Sequence, residues 1–264
     1  MKILVTGGAG YVGSVLLPEL LSRGHEVRVL DLLLHGGGSL LGVWTHPAFR
    51  FIRGDIRNER VLREALEGVE AVVHLAAIVG DPACARQPEE ARSTNLDASL
   101  DLRDICLENG VRRFVFASTC SNYGKMKDPA SYVDETSELR PVSLYAETKI
   151  AVETALLETR RDGFVPVCLR FATVFGVSPR MRFDLTVNHF TMEMMARKHL
   201  VVFGEQFWRP YIHVQDMARA VCLVLEASPE QVGNDVFNVG ADEQNYRKLD
   251  IIEMIKPFAP TAQA

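Results

Sequence analysis

Through the first 170 residues, short aliphatic and β-branched runs alternate with longer stretches in which apolar positions recur every three or four residues. The runs at 2–5, 26–30, 49–53, 71–75, 113–117 and 165–170 predict strands. The segments 12–23, 58–67, 88–109 and 143–161 predict helices, and Gly24, Gly68, Gly110 and Gly163 stand where such helices end. Strands alternating with helices in this way make βαβ units, so the expected fold is α/β with a doubly wound parallel sheet. In such a sheet a ligand lies across the carboxyl ends of the strands, where the strand order reverses.

Beyond residue 170 the pattern loosens. A Pro/Arg-rich loop at 178–182 precedes a predicted helix at about 185–198, a strand at 200–203, a turn at Gly204, a helix at 213–227 and a strand at 236–239. The expected division is a doubly wound main domain over 1–170, with 211–233 packing back on it. Residues 171–210 and 234–264 would form a smaller lobe for the second substrate. Gly36, Gly37 and Gly38 mark a mobile loop after the second strand.

A net charge of −5 and a pI near 5.8 argue against a nucleic-acid surface, which would show a basic face. Five cysteines without CxxC spacing suggest neither a disulfide framework nor a zinc site, and no metal is expected. The chain enters its first strand at once and has no apolar run of membrane-spanning length, so a cytoplasmic protein with no membrane partner is expected.

The chemistry begins at Thr6-Gly7-Gly8-Ala9-Gly10-Tyr11-Val12-Gly13, a Gly-rich turn between the first strand and helix. Gly7 would make the tight turn, Gly10 would let a pyrophosphate reach backbone N–H groups at the helix N-terminus, and Gly13 would allow close helix–strand packing. Asp31 ends the second strand about 20 residues on, where its carboxylate suits both adenine-ribose hydroxyls and repels a 2′-phosphate. Leu32, Leu33 and Leu34 follow, so NAD is expected rather than NADP, and 1–170 is expected to be an NAD-binding Rossmann domain. Asp55 and Ile56 after the third strand could contact adenine, although Asp55 alone reads more readily as a helix N-cap.

Tyr145 and Lys149 share a helix face at i and i+4, so the ammonium could depress the phenol and make it a base. The run Ser118-Thr119-Cys120-Ser121-Asn122-Tyr123-Gly124 puts several hydroxyls at a strand's carboxyl end.

With these motifs in this order, and with His74-Leu75-Ala76-Ala77, Leu169 to Gly176 and Arg209-Pro210-Tyr211-Ile212-His213-Val214, the chain resembles the extended short-chain dehydrogenase/reductases. Within them it is similar to the NAD-dependent nucleotide-sugar epimerase/dehydratase branch. That resemblance implies Tyr145 as acid/base, Lys149 as ligand of the nicotinamide ribose, and Thr119 as the hydroxyl bonded to the reacting sugar. It implies a cofactor lining of Tyr11, Val12, Leu75, Ala76, Ala77, Ser118 and Phe171, with Asn95 orienting structure near the nicotinamide or capping a helix. It also implies substrate contacts from Asn188 and Arg209, a homodimer built on the helices around 95–109 and 143–161, and further helices with a second diphosphate-binding Arg beyond Ala264. By that measure the lobe reads as shortened.

The implied reaction is epimerisation, inversion at C4 of a UDP-hexose through a transient 4-keto sugar. The branch's dehydratases carry an Asp-Glu pair after the Thr, where this chain has Cys120 and Ser121. Cys120 together with His189 resembles instead the reductase-epimerases that make GDP-fucose, although a small buried Cys also reads as packing. A non-catalytic dinucleotide sensor is the remaining alternative.

Overall fold

The structure is a computed structural model that describes residues 1–125, 132–159 and 161–263. Its elements run β1 (Lys2–Thr6), α1 (Gly13–Ser22), β2 (Glu26–Asp31), β3 (Phe49–Arg53), α2 (Glu59–Leu66), β4 (Ala71–His74), α3 (Asp81–Arg86), α4 (Pro88–Arg92), α5 (Ala98–Glu108) and β5 (Arg113–Thr119). The second half adds α6 (Leu144–Glu158), β6 (Val165–Phe171), β7 (Thr173–Phe175), α7 (Thr186–Met192), β8 (Trp208–His213), α8 (Val214–Glu226), α9 (Pro229–Val232), β9 (Asp235–Val239), β10 (Asn245–Arg247) and α10 (Lys248–Ile255). Arg160, inside the predicted 143–161 helix, lies outside the described residues. No helix among the described residues is long and apolar enough to cross a membrane.

A seven-stranded parallel sheet in the order β3-β2-β1-β4-β5-β6-β9 forms the centre, and its order reverses between β1 and β4. The strands are apolar on both faces because both faces are covered. Ile3 and Val5 face α1 and α8, whose Leu16, Leu17, Leu20, Val221 and Leu225 complete one core. Leu4 faces α2, α5 and α6, where Leu62, Leu66, Leu102, Val152 and Leu156 complete the other. A third core of Phe190, Met194, Leu200, Tyr211, Ile251, Ile252 and Ile255 belongs to the lobe, which carries the small sheet β10-β8-β7.

Two sequence expectations change. No strand forms over 200–203: Lys198 adopts φ 57°, His199 makes one isolated bridge to Gln263, and Leu200 alone is buried there while Val201 and Phe203 lie exposed. The lobe's long strand is β8, concealed in the sequence by Pro210. Residues 234–264 also do not stay together as lobe, because β9 leaves it to pair in parallel with β6 as the seventh strand of the main sheet.

The Gly-rich turn is packed backbone to backbone. Gly7 has φ +74°, and a Cβ there would stand 2.7 Å from the Ala76 nitrogen, so the turn rests on the residue just beyond β4. A Cβ on Gly13 would stand 2.5 Å from the Gly8 carbonyl oxygen; its close packing is against the turn rather than the strand expected from sequence. Gly13→Ala should therefore lower unfolding stability by roughly 1–3 kcal/mol, measured by urea denaturation.

Candidate active site

The amides of Tyr11, Val12 and Gly13, at the start of α1, bond no acceptor among the described residues, whereas Gly10 N–H is used internally on Gly7 O at 3.1 Å. Three free N–H groups at a helix N-terminus suit a phosphate. Asp31 holds the turn in place: its Oδ2 accepts from Ala9 N at 2.9 Å and its Oδ1 from Leu33 N at 2.8 Å. Each oxygen keeps a further lone pair for a ribose hydroxyl. Leu75, Ala76 and Ala77 follow β4, and Ala76 N donates to Thr6 Oγ1 at 3.3 Å. Asn95 is no helix-start cap, since it lies in a wide turn between α4 and α5. There its amide brackets Ile78, accepting from Ile78 N and donating to Ile78 O, both at 2.8 Å, and so shapes the loop after β4. Phe171 is buried at the end of β6.

Other expected cofactor residues sit differently. Asp55 is not the N-cap of α2; Asn58 is, accepting from Val61 N. The Asp55 carboxylate is instead taken up by Arg57 at 2.6 Å, which holds its pKa below the usual range. Ile56 is buried in the α2 side of the core. Ser118 turns away from the cleft: its hydroxyl donates to Glu153 Oε2 at 2.8 Å and accepts from Asn122 Nδ2 at 3.0 Å.

Behind the catalytic candidates lies a buried network that sequence reasoning missed. Glu153 and Arg170, each with a 4% exposed side chain, form an ion pair between α6 and β6. Arg170 also donates to the Tyr123 hydroxyl at 2.9 Å, and Tyr123 donates to Asn238 Oδ1 on β9 at 2.6 Å. His74, likewise unassigned, is clasped between Thr6 Oγ1 at 2.7 Å and Ser99 Oγ at 2.9 Å. Burial, helped by the charge of Lys149, pushes His74 down to about 3 and keeps it neutral.

Ser143 caps α6 by accepting from Ala146 N, which starts the helix at the mouth of the cleft and puts Tyr145 in its first turn. The Tyr145 hydroxyl has no hydrogen-bond partner among the described residues. One turn on, Lys149 is 3% exposed; its Nζ donates to Ala117 O at 2.8 Å and lies 4.6 Å from the Phe116 ring centre and 5.9 Å from that of Tyr145. Burial lowers Lys149 to about 8. The expected depression of Tyr145 by Lys149 is not what the structure shows: burial raises the phenol, and the main charge drawing it back is Arg182. Thr119, at the end of β5, accepts from Ser121 N at 3.1 Å, so its proton remains available for donation.

Burial raises the Cys120 thiol, with the Arg209 charge and the neighbouring Thr173 acting in the other direction. Arg209 is exposed on β8. His189 does not join Cys120; its imidazole lies 3.6 Å from Glu193 Oε1 and is 42% exposed. Asn188 is committed as well: it accepts from Gly176 N at 3.0 Å and donates to Arg182 O at 3.0 Å and to the Tyr11 hydroxyl at 3.2 Å. Tyr11 completes that clasp by donating to Gly176 O at 2.6 Å.

A Gly-rich turn with free amides at the switch point, a ribose-directed carboxylate and a Tyr/Lys helix define a nicotinamide-dependent enzyme of the short-chain dehydrogenase type. The chain belongs to the NAD dependent epimerase/dehydratase family, whose model matches residues 3–240. It is 31% identical over 275 residues to a UDP-glucose 4-epimerase of Corynebacterium glutamicum, covering 97% of this chain and 80% of that one. Among solved structures, the UDP-glucose 4-epimerase of Thermotoga maritima with UDP-glucose aligns with a TM-score of 0.86 at 29% identity, covering 100% of this chain and 84% of that one. The Thermus thermophilus UDP-glucose 4-epimerase in complex with NAD aligns at 0.84 and 29%, covering 99% and 84%. The protein is accordingly an NAD-dependent enzyme, and the free amides and Asp31 fit that cofactor.

Two outcomes test this geometry. Glu153→Leu leaves the Arg170 guanidinium buried without its counter-charge and should destabilise the fold by about 3–5 kcal/mol in urea titrations. Lys149 behaves oppositely. Its folded pKa is lowered, so its burial penalty is fully present below pH 8 and is relieved as pH rises from about 8 towards the unfolded value. Lys149→Met should abolish turnover yet raise stability at pH 7, by on the order of 1 kcal/mol, with the gain shrinking above pH 8.

Proposed function

We propose that the protein is an NAD-dependent nucleotide-sugar epimerase that inverts C4 of a UDP-hexose. The observation that carries this reading is the commitment of the groups around Tyr145. Lys149 is bonded to Ala117, Glu153 to Arg170, and His74 to Thr6 and Ser99, while the Tyr145 hydroxyl is uncommitted. A single phenol that removes a hydroxyl proton and returns it to the same oxygen is sufficient for epimerisation. Elimination of water needs a second acid and base, and this chain has Cys120 and Ser121 beside Thr119. The relatives named UDP-glucose 4-epimerase support the same substrate class.

In this reading Thr119 donates to the sugar C4 oxygen and Tyr145 takes that oxygen's proton. NAD, when bound, supplies the acceptor and donor for the internal redox cycle. Lys149, anchored on Ala117, holds the nicotinamide ribose beside Tyr145 and presents positive charge to the phenolate as it forms. Arg209 reaches from β8 towards the diphosphate. The reductase alternative is not favoured, because His189 turns to Glu193 and away from Cys120.

A homodimer packing α5 and α6 against their copies belongs to the same proposal, supported by Leu100 and Ile150, which stay half-exposed on those helices. The five free cysteines support a reducing cytoplasmic setting.

Proton NMR of UDP-glucose and UDP-galactose with catalytic NAD tests the activity. Interconversion with no net cofactor consumption is expected, and Tyr145→Phe should slow it by about 10²–10⁴-fold. Consumption of one reduced cofactor per turnover would reject the epimerase.

A further inference from the structure

Thr6 and His74 end β1 and β4 and stand side by side as the last register pair where the strand order reverses. Their side chains share the sheet face of Leu4 and Val72, towards α5, and both are buried. Thr6 Oγ1 lies 2.7 Å from His74 Nδ1, and His74 Nε2 lies 2.9 Å from Ser99 Oγ in the first turn of α5. Phe116 stacks on the imidazole with ring centres 5.9 Å apart, and Phe114 meets its edge at 6.1 Å.

The outer partners decide which way the protons run. Ser99 Oγ donates to Asn95 O at 2.8 Å, and because a carbonyl only accepts, the single Ser99 proton is committed there. His74 must then donate from Nε2, which leaves Nδ1 bare. The Thr6 hydroxyl donates to Nδ1, and its own lone pair takes the Ala76 N–H at 3.3 Å. One directed chain results, running from the Ala76 N–H through Thr6, His74 and Ser99 to Asn95 O. A proton added at Nδ1 would set two donors against each other. The Lys149 charge, 4.6 Å from the centre of the Phe116 ring that stacks on His74, opposes the same proton.

Both ends of the chain bear on one loop. Leu75 N donates to Thr6 O at 3.1 Å and Ala76 N to the Thr6 hydroxyl, while the Asn95 side chain brackets Ile78. Directly after Thr6 the Gly-rich turn begins, and there Gly7 passes too close to Ala76 for any side chain. Turn and loop are the two edges of the cleft at the switch point, where a dinucleotide lies. We propose that His74 is a positioning residue for cofactor binding: fixed as the Nε2–H tautomer between Thr6 and Ser99, it holds the Gly-rich turn and the loop after β4 at the spacing that NAD requires. The inference rests on the NAD dependence of the enzyme and gives His74 no contact with the cofactor. Without the chain the competent spacing is one arrangement among several, and apparent affinity falls with its population.

Two measurements test it. Nitrogen NMR of isotopically labelled wild type reads the tautomer directly, and His74 should show a bare Nδ1 and a protonated Nε2 throughout about pH 5 to 8, where a free imidazole titrates. An Nδ1–H tautomer or a titrating His74 would overturn the proposal, and this result needs no variant to fold. Calorimetric titration with NAD then compares wild type, Thr6→Ser, Thr6→Val, His74→Phe and the double variant of Thr6→Val with His74→Phe. Thr6→Val and His74→Phe each remove one link and should weaken NAD binding about tenfold. The double variant should be about as weak as either single one, because links of one chain do not add, whereas independent sites would multiply to about a hundredfold loss. Thr6→Ser keeps the hydroxyl and should stay within about twofold of wild type. Unchanged NAD affinity in folded single variants whose melting temperature alone has dropped would make His74 a stability element and overturn the proposal, as would multiplying effects. A wild type that binds no NAD would overturn it together with the cofactor reading.

Discussion

The buried pair of Glu153 and Arg170 is the constraint on which the site depends. Neither charge could remain in the interior alone, and removing water from both is tolerated only with close geometry and further hydrogen bonds. The structure supplies these through Ser118, Asn122 and Tyr123. The result fixes α6 to β6 at one rotational setting, and through Tyr123 and Asn238 it extends to β9. Lys149 lies one turn before Glu153 and Tyr145 two turns before it, so the helix phase set by the ion pair decides where the phenol points.

A second set of bonds closes the other side of the cleft. Tyr11, Ser14, Ser178, Gly176 and Asn188 bind the head of α1 to the lobe with side-chain and backbone partners. The floor is ionic and buried, whereas this upper clasp is neutral and reaches the edge of the lobe. Neutral hydrogen bonds exchange with water at little net free energy.

What the sequence disclosed was local. Through residue 170, strand and helix periods, the Gly-rich turn and Asp31 are written in neighbouring residues, and they are found where expected. What it hid depends on partners far along the chain. Glu153 reads as one more surface acid on a helix, and only the fold reveals Arg170 opposite it. Asn188 reads as a substrate contact because its position in the motif order suggested one; the structure spends its amide on Gly176, Tyr11 and Arg182. Strand β9 has the same apolar run in either sheet, so its pairing with β6 could not be read from it. Pro210 concealed β8, and three-residue strands such as β7 and β10 have no period to detect.

The electrostatics argue for a site that is completed by its ligands. Alone, the chain holds Tyr145 as a reluctant acid, with burial raising its pKa, and holds Lys149 as a weakened cation bonded to a carbonyl. Neither state suits a base at neutral pH. Positive charge placed in the cleft shifts the phenol in the useful direction, and oxidised NAD, when bound, would carry such charge on its nicotinamide ring; a phenolate so favoured would in turn hold Lys149 protonated. The oxidised cofactor would favour the phenolate just when a hydroxyl proton must be removed, and loss of that ring charge on reduction would favour the phenol when the proton must be returned. With Tyr145 as the acid/base, the same burial that makes the isolated side chains poor catalysts would link the protonation of Tyr145 to the redox state of the cofactor.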